Sequence, residues 1–233
     1  MLILRKAQVF LLVQVSTLIG TTAIGQDSAA PIPLPKAPIG YVIIEEEQWN
    51  NLSDEPARHM GLARDAFLMM DARDAATELR KAAVHLRVAA GHATERTKRA
   101  LVRSEHELEQ LARQAEAGTF KSMEEFDRTS ARALHALSND QYAKAAEAWR
   151  KKEVKQAGQY LRASANNLEH ASARAGASIR QASAVAAKDV RVISGKLIEG
   201  TGFVFDEVGS GFEGLGHAIE RVGAQVEPHT VTR

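Results

Sequence analysis

The chain has 233 residues, 30 Lys or Arg against 29 Asp or Glu, and no cysteine, so it can build one or two domains with a real core. The absence of cysteine excludes disulfides, thiolate catalysis, Cys-type zinc sites and lipid attachment at a cysteine. Aromatic residues are scarce at 5% and alanine is abundant, a composition that favours thin, closely packed helices over a sheet.

The amino end reads as a secretory signal over residues 1–25. Arg5 and Lys6 precede an apolar run from Val9 to Gly20, and Ala23-Ile24-Gly25 supplies small residues for cleavage before Gln26. The alternative is an uncleaved membrane anchor, but Gln14, Ser16 and Thr17 interrupt the short apolar stretch. Export places the protein in a periplasmic or extracellular space. Removing residues 1–25 takes away two basic residues and no acid, leaving 28 basic against 29 acidic. Lys and Arg alternate with Glu and Asp along the later segments, which lack the concentrated positive charge that nucleic acid requires.

Residues 26–50 form a spacer, with Pro31, Pro33, Pro35 and Pro38 extended and Tyr41-Val-Ile-Ile44 as a short extended or plug segment. The helical period then takes over in residues 51–190. Ser53 caps a first helix to about Met70, with Pro56 in the first turn, and Asp71 and Asp74 separate it from a second helix ending near Gly91. A third covers Ala93 to Ala117, with Leu101, Leu108 and Leu111 on one face and Gly118 stopping it. Ser122-Met-Glu-Glu125 is a capping box that opens a fourth helix to about Lys152. A fifth helical region starts at Val154 and bends or breaks near Gly176.

Within that series lies a long repeat. Shifting Ala63–Ala93 by 82 residues gives nine identities in 31 positions. Among them are Ala66 on Ala148, Ala75 on Ala157, Leu79 on Leu161, Arg80 on Arg162 and Leu86 on Leu168, while Phe67 falls on Trp149. Each unit is predicted to be a helix, a tight turn at Asp71 or Glu153, and a second helix whose small residues allow close approach. The spacing of Ala63, Ala66, Ala75, Leu79 and Ala82, repeated in Ala145, Ala148, Ala157, Leu161 and Ser164, resembles the hairpin of tetratricopeptide repeats. The resemblance covers about 20 residues per unit. It departs from that family in its longer period and in lacking its Trp, Tyr and Pro landmarks. It implies a helical hairpin able to bind a partner, without a superhelical array.

From Ile198 the chain repeats every seven residues. Large apolar residues occupy the first position (Ile198, Phe205, Phe212, Ile219, Val226), and Thr201, Val208, Leu215 and Val222 the fourth. The second is always acidic (Glu199, Asp206, Glu213, Glu220, Glu227), and the fifth is glycine (Gly195, Gly202, Gly209, Gly216, Gly223). Such spacing is that of a coiled-coil seam, and it predicts one amphipathic helix over residues 191–228, with 229–233 as a tail. The glycines cost such a helix roughly 4 to 5 kcal/mol in propensity, so it needs another surface. It can dock on its own bundle, pair with another copy or another protein, or lie on a bilayer.

Catalytic signatures are missing: no Gly-x-Ser-x-Gly elbow, no phosphate-cradling glycine loop, no calcium loop, and at His106-Glu107 no second His to complete a zinc-protease motif. Glu213, His217 and Glu220 have a spacing compatible with a metal, although the acidic register already accounts for both glutamates. His85 and His92 could form a pH-sensitive pair. Met60, Phe67, Met69, Met70, Trp149 and Tyr160 either line a groove or anchor the two hairpins, with Phe67 and Trp149 as equivalent core residues.

The expected architecture is therefore all-α: two helix-turn-helix hairpins with long connecting helices and a C-terminal heptad helix. The expected role is non-enzymatic, without a cofactor, and works by helix-mediated association. Its seam is Ile198, Phe205, Val208, Phe212, Leu215, Ile219 and Val222. Membrane-surface binding by the tail and a small-molecule or metal-binding bundle are the alternatives.

Overall fold

The computed structural model describes residues 53–227, and the signal, the spacer and the 229–233 tail lie outside them. The described chain is all-helical. Its helices are α1 (Glu55–Leu68), α2 (Ala72–Gly91), α3 (Glu95–Glu116), α4 (Met123–Arg150), α5 (Val154–Ala175), α6 (Ala177–Glu199) and α7 (Phe205–Val226).

Local chemistry sets most of these boundaries. Pro56 lies in the first turn of α1, whose N-cap is Asp54 and not the expected Ser53, with no side-chain cap bond. The Asp71 carboxylate accepts the Asp74 N–H at 3.0 Å to start α2, and the Ser122 hydroxyl accepts the Glu125 N–H at 3.2 Å to start α4. Both satisfy a backbone donor that a helix start leaves without a partner.

The repeat is visible bond by bond. Asp71 N–H donates to Ala66 O at 2.8 Å, and 82 residues on Glu153 N–H donates to Ala148 O at 3.0 Å. Ala75 N–H reaches Asp71 O at 3.0 Å, as Ala157 N–H reaches Glu153 O at 2.9 Å. Both turns use a left-handed residue at the same place, Met70 at φ 61° and Lys152 at φ 62°.

The duplication extends beyond the expected hairpin. Helices that begin at Ala72, Glu95 and Met123 are answered 82 residues later by helices that begin at Val154, Ala177 and Phe205. The unit is thus a helix pair plus a third helix: α3 and α6 are not connectors but counterparts. The second half of α4 plays for unit two the part that α1 plays for unit one, and α7 repeats the first part of α4.

Small residues let these helices pack closely. The buried face of α2 is Ala75, Ala76, Leu79, Ala82, Ala83, Leu86, Ala89 and Ala90. Between α4 and α5, Ser138 and Ser164 each donate to the other's carbonyl, at 2.9 and 2.8 Å, which satisfies two buried hydroxyls without a bulky side chain. Phe126, Leu108, Leu134, Leu161, Leu168, Leu197 and Leu215 fill the fully buried centre.

The heptad segment is not one helix. It is divided between the end of α6 and all of α7 by a turn at residues 200–204, and the proposed boundary at 190 falls inside α6. Gly200 and Gly202 adopt φ of 74° and 71°, a backbone region that side-chain-bearing residues avoid. Gly200 closes α6 with hydrogen bonds back to its last turn. The seven-residue register runs across this turn unbroken, which is why it resembled a continuous helix.

Candidate functional site

The heptad residues are used mostly inside the molecule. Val208, Leu215, Ile219, Val222 and Val226 are buried, and Ile198 and Phe212 are half-buried. Phe205 alone of the seam is open, at 73% exposure. The segment therefore docks on its own bundle, and most of the expected association seam is covered.

Two of the five seam glycines work as close-approach positions. A Cβ at Gly223 would stand 2.8 Å from His135 Nε2, and one at Gly216 would stand 3.0 Å from the Tyr142 hydroxyl. Gly195, Gly202 and Gly209 face open space. Two glycines outside the seam matter more. At Gly158 on α5 a Cβ would meet Leu197 Cβ at 2.8 Å and the Ser194 carbonyl at 2.9 Å, and at Gly211 it would meet Ile193 Cδ1 at 2.5 Å. Nothing in the seven-residue pattern marks either one, because the partner lies on α6.

His135 joins α4 to α7. Its Nε2–H donates to Ile219 O at 3.1 Å, its Nδ1 lies 4.0 Å from Glu227, and Arg103 of α3 holds that carboxylate at 2.8 Å. Burial pushes the His135 pKa down, against the pull of Glu227. Tyr142 donates to Phe212 O at 3.2 Å.

His85 lies beside His59, with ring centres 5.9 Å apart. His59 Nδ1–H donates to Glu78 at 2.6 Å. Burial, and then the charge of His59, lower the His85 pKa to about 4. Glu213, His217 and Glu220 form an exposed edge of α7, with His217 nitrogens 3.8 and 3.6 Å from the two carboxylates and all three side chains at least 62% exposed. No set of three His, Cys, Asp or Glu side chains among the described residues is placed to hold a metal ion.

The proposed groove residues separate. Met60 is fully buried and Tyr160 is 8% exposed, whereas Met69 and Met70 are 80% and 93% exposed. Phe67 stacks on Phe120 at 4.1 Å and meets Phe126 edge-on. Its counterpart Trp149 packs against Phe203, Phe205 and Phe212. Each aromatic is thus an anchor for the loop that follows the third helix of its unit, and the two do not share a groove.

Open apolar surface lies in two places, the end of α1 with its turn (Leu62, Leu68, Met69, Met70) and α6 with the turn after it. Val185 and Val192 are 61% and 55% exposed, and Val204 is 61% exposed next to Phe205. The equivalent positions of unit one are Arg103, Gln110 and Ser122. Beside Val192, Gly195 has no atom within reach of a Cβ. Between α6 and α7 a cavity of about 510 Å³ is lined by Val190, Ile193, Gly211, Gly214 and Leu215 among others. Among the described residues no helix is long and apolar enough to cross a membrane.

No family model matches the chain, and neither a curated protein nor a solved structure matches it.

Proposed function

We propose that the chain is an exported, non-enzymatic helical-repeat protein that acts by association, and that its partner is a second copy engaged through the outer face of α6. The observation that carries this reading is the divergence of the two units: exposed Val185 and Val192 stand where unit one has Arg103 and Gln110. Exposed valines one heptad apart beside a bare glycine form a stripe suited to another helix. The expected partner-binding surface moves from the buried tail seam to this face.

The stripe is self-complementary. An antiparallel crossing with its twofold axis between Lys188 and Asp189 sets Val185 against Val192, Lys188 against Asp189 and Ala182 against Gly195. All of these except half-buried Gly195 are exposed in the single chain. A twofold interface requires such reciprocal pairing: apolar meets apolar, cation meets anion and small meets small. Export rests on the basic and apolar character of residues 1–25.

Light scattering of the full chain tests the reading. The expected result is a dimer mass that falls to the monomer mass when Val185 and Val192 are both changed to Lys. A monomer mass over a wide concentration range, or a dimer indifferent to the substitutions, overturns it.

A second reading, docking on a membrane surface, is supported by one corner of the molecule. Val204 and Phe205 are exposed against Trp149, and Arg150, Lys151 and Lys152 follow Trp149 in the chain. Glu147, which pairs with Lys151 at 2.6 Å, and Glu153 reduce that positive charge. Flotation with anionic vesicles separates the readings, since lipid-dependent recovery lost in Phe205→Ser would favour the corner over the α6 stripe.

A further inference from the structure

The beginning of α4, the end of α5 and the end of α7 enclose a cavity of about 440 Å³, within the size range of small-molecule sites. Its lining holds two carboxylates, Glu124 and Asp127, and two guanidiniums, Arg128 and Arg174. Glu124 is met by Arg128 at 2.6 Å, and Asp127 by Arg64 of α1 at 3.2 Å. The remaining charged side chain in the lining, Arg174, has no ion-pair partner among the described residues. It donates from Nη1 to its own helix at His170 O, 3.1 Å away, and its Nε–H is buried with no acceptor. Burial pulls the guanidinium below its ordinary pKa, opposed by Asp127.

A half-buried guanidinium whose Nε–H has no acceptor is unfavourable unless something pairs with it. We propose that this cavity binds a small organic monocarboxylate, with Arg174 as the anchor for its carboxylate. The charge class follows from the surroundings. With Arg64 of α1 counted beside the lining, the cluster carries one more positive than negative charge, and the neighbouring carboxylates Glu124 and Asp127 oppose a dianion. The planar fork of arginine suits the two oxygens of a carboxylate. The organic part follows from the rest of the lining: Ala131, Ala175 and Val226 offer an apolar bed, and the Gln225 amide stands at the same rim. The counterpart of Arg174 in unit one is His92, so the anchor belongs to unit two alone.

Calorimetric titration of the full chain at fixed ionic strength tests the site with pentanoate, its neutral isostere pentanamide, and sulfate. The expected result is saturable one-site binding of pentanoate, at least tenfold weaker binding of pentanamide and sulfate, loss in Arg174→Gln and weakening in Arg174→Lys. Circular dichroism checks that both variants keep their helix content. The pentanamide comparison needs no variant, so the test survives a failure of either to fold. No saturable heat with pentanoate overturns the proposal. So does equal binding of pentanamide, equal binding of sulfate, or undiminished binding by a folded Arg174→Gln.

Discussion

The two units of this chain share the backbone hydrogen bonds of their turns, lack a common side-chain cap there, and differ in what they bury at close contacts and show to solvent. In unit one, α2 carries Ala76; in unit two, the same place on α5 is Gly158, with the Ser194 carbonyl and the Leu197 side chain pressed against it. Unit one covers the outside of its third helix with Arg103 and Gln110, and unit two with Val185 and Val192. A scaffold defined by turn geometry and small residues can therefore keep its shape while its surfaces are reassigned. The end of the array follows the same logic. Where α4 receives α5 it has Ser138, and one turn and more earlier Ala131, both fully buried. At those places α7 has Glu220 and Glu213, 80% and 77% exposed. Carboxylates stand where a further unit would stack, and a polar outer face is what ends a repeat array.

The largest expected effect comes from erasing the difference at the tight contact. Gly158→Ala places a Cβ against backbone and should cost about 1 to 3 kcal/mol. Ala76→Gly should cost about 1 kcal/mol, from helix propensity. Urea unfolding of both variants measures the gap, and a Gly158→Ala variant as stable as the parent would mean that α5 and α6 are not so close.

A pH effect comes next. The His85 pKa of about 4 lies below the ordinary 6.5, so the unfolded chain takes up that proton first as the pH falls. The stability that neutral His85 provides is present above pH 6.5, declines from there toward about 4, and its loss is complete below that. The size is about 1 to 3 kcal/mol after allowing for partial exposure. Unit two has Asn167 at this place, and His85→Asn should flatten the decline in a pH series of thermal melts. The smallest effect should be equal in the two units: Met70→Gly and Lys152→Gly each relieve a left-handed residue and should each add up to about 1 kcal/mol. Unequal gains in the urea midpoint would break the equivalence of the turns.

Most of the fold was legible because its punctuation is chemical: Asp71, Ser122, Gly118 and Gly176 mark boundaries through capping or turn formation. The hairpin duplication was legible through shared alanines and leucines. Its third helix was not, because Glu95–Glu116 and its counterpart share one identity, Ala100 with Ala182. Burial is conserved there while residue type is not, so that Leu101 answers to Ser183 and Ala115 to Leu197, all buried. The break at Gly200–Gly202 was hidden by a register that continues through a turn. The site residues were the least legible. Arg174 and Gly158 acquire their meaning from partners on other helices, and Val185 and Val192 stand out only once their counterparts are known.

The central claim is that α6 meets its own copy in antiparallel register, and the chain's lack of cysteine makes that directly testable. In Val185→Cys/Val192→Cys the two thiols lie about 10 Å apart along one helix, beyond the roughly 7 Å Cα separation that a disulfide can span, so mild oxidation can join them only between chains. The account predicts a covalent dimer from this variant and none from Arg103→Cys/Gln110→Cys, the equivalent pair in unit one. Equal cross-linking of the two variants, or none in either, would contradict it.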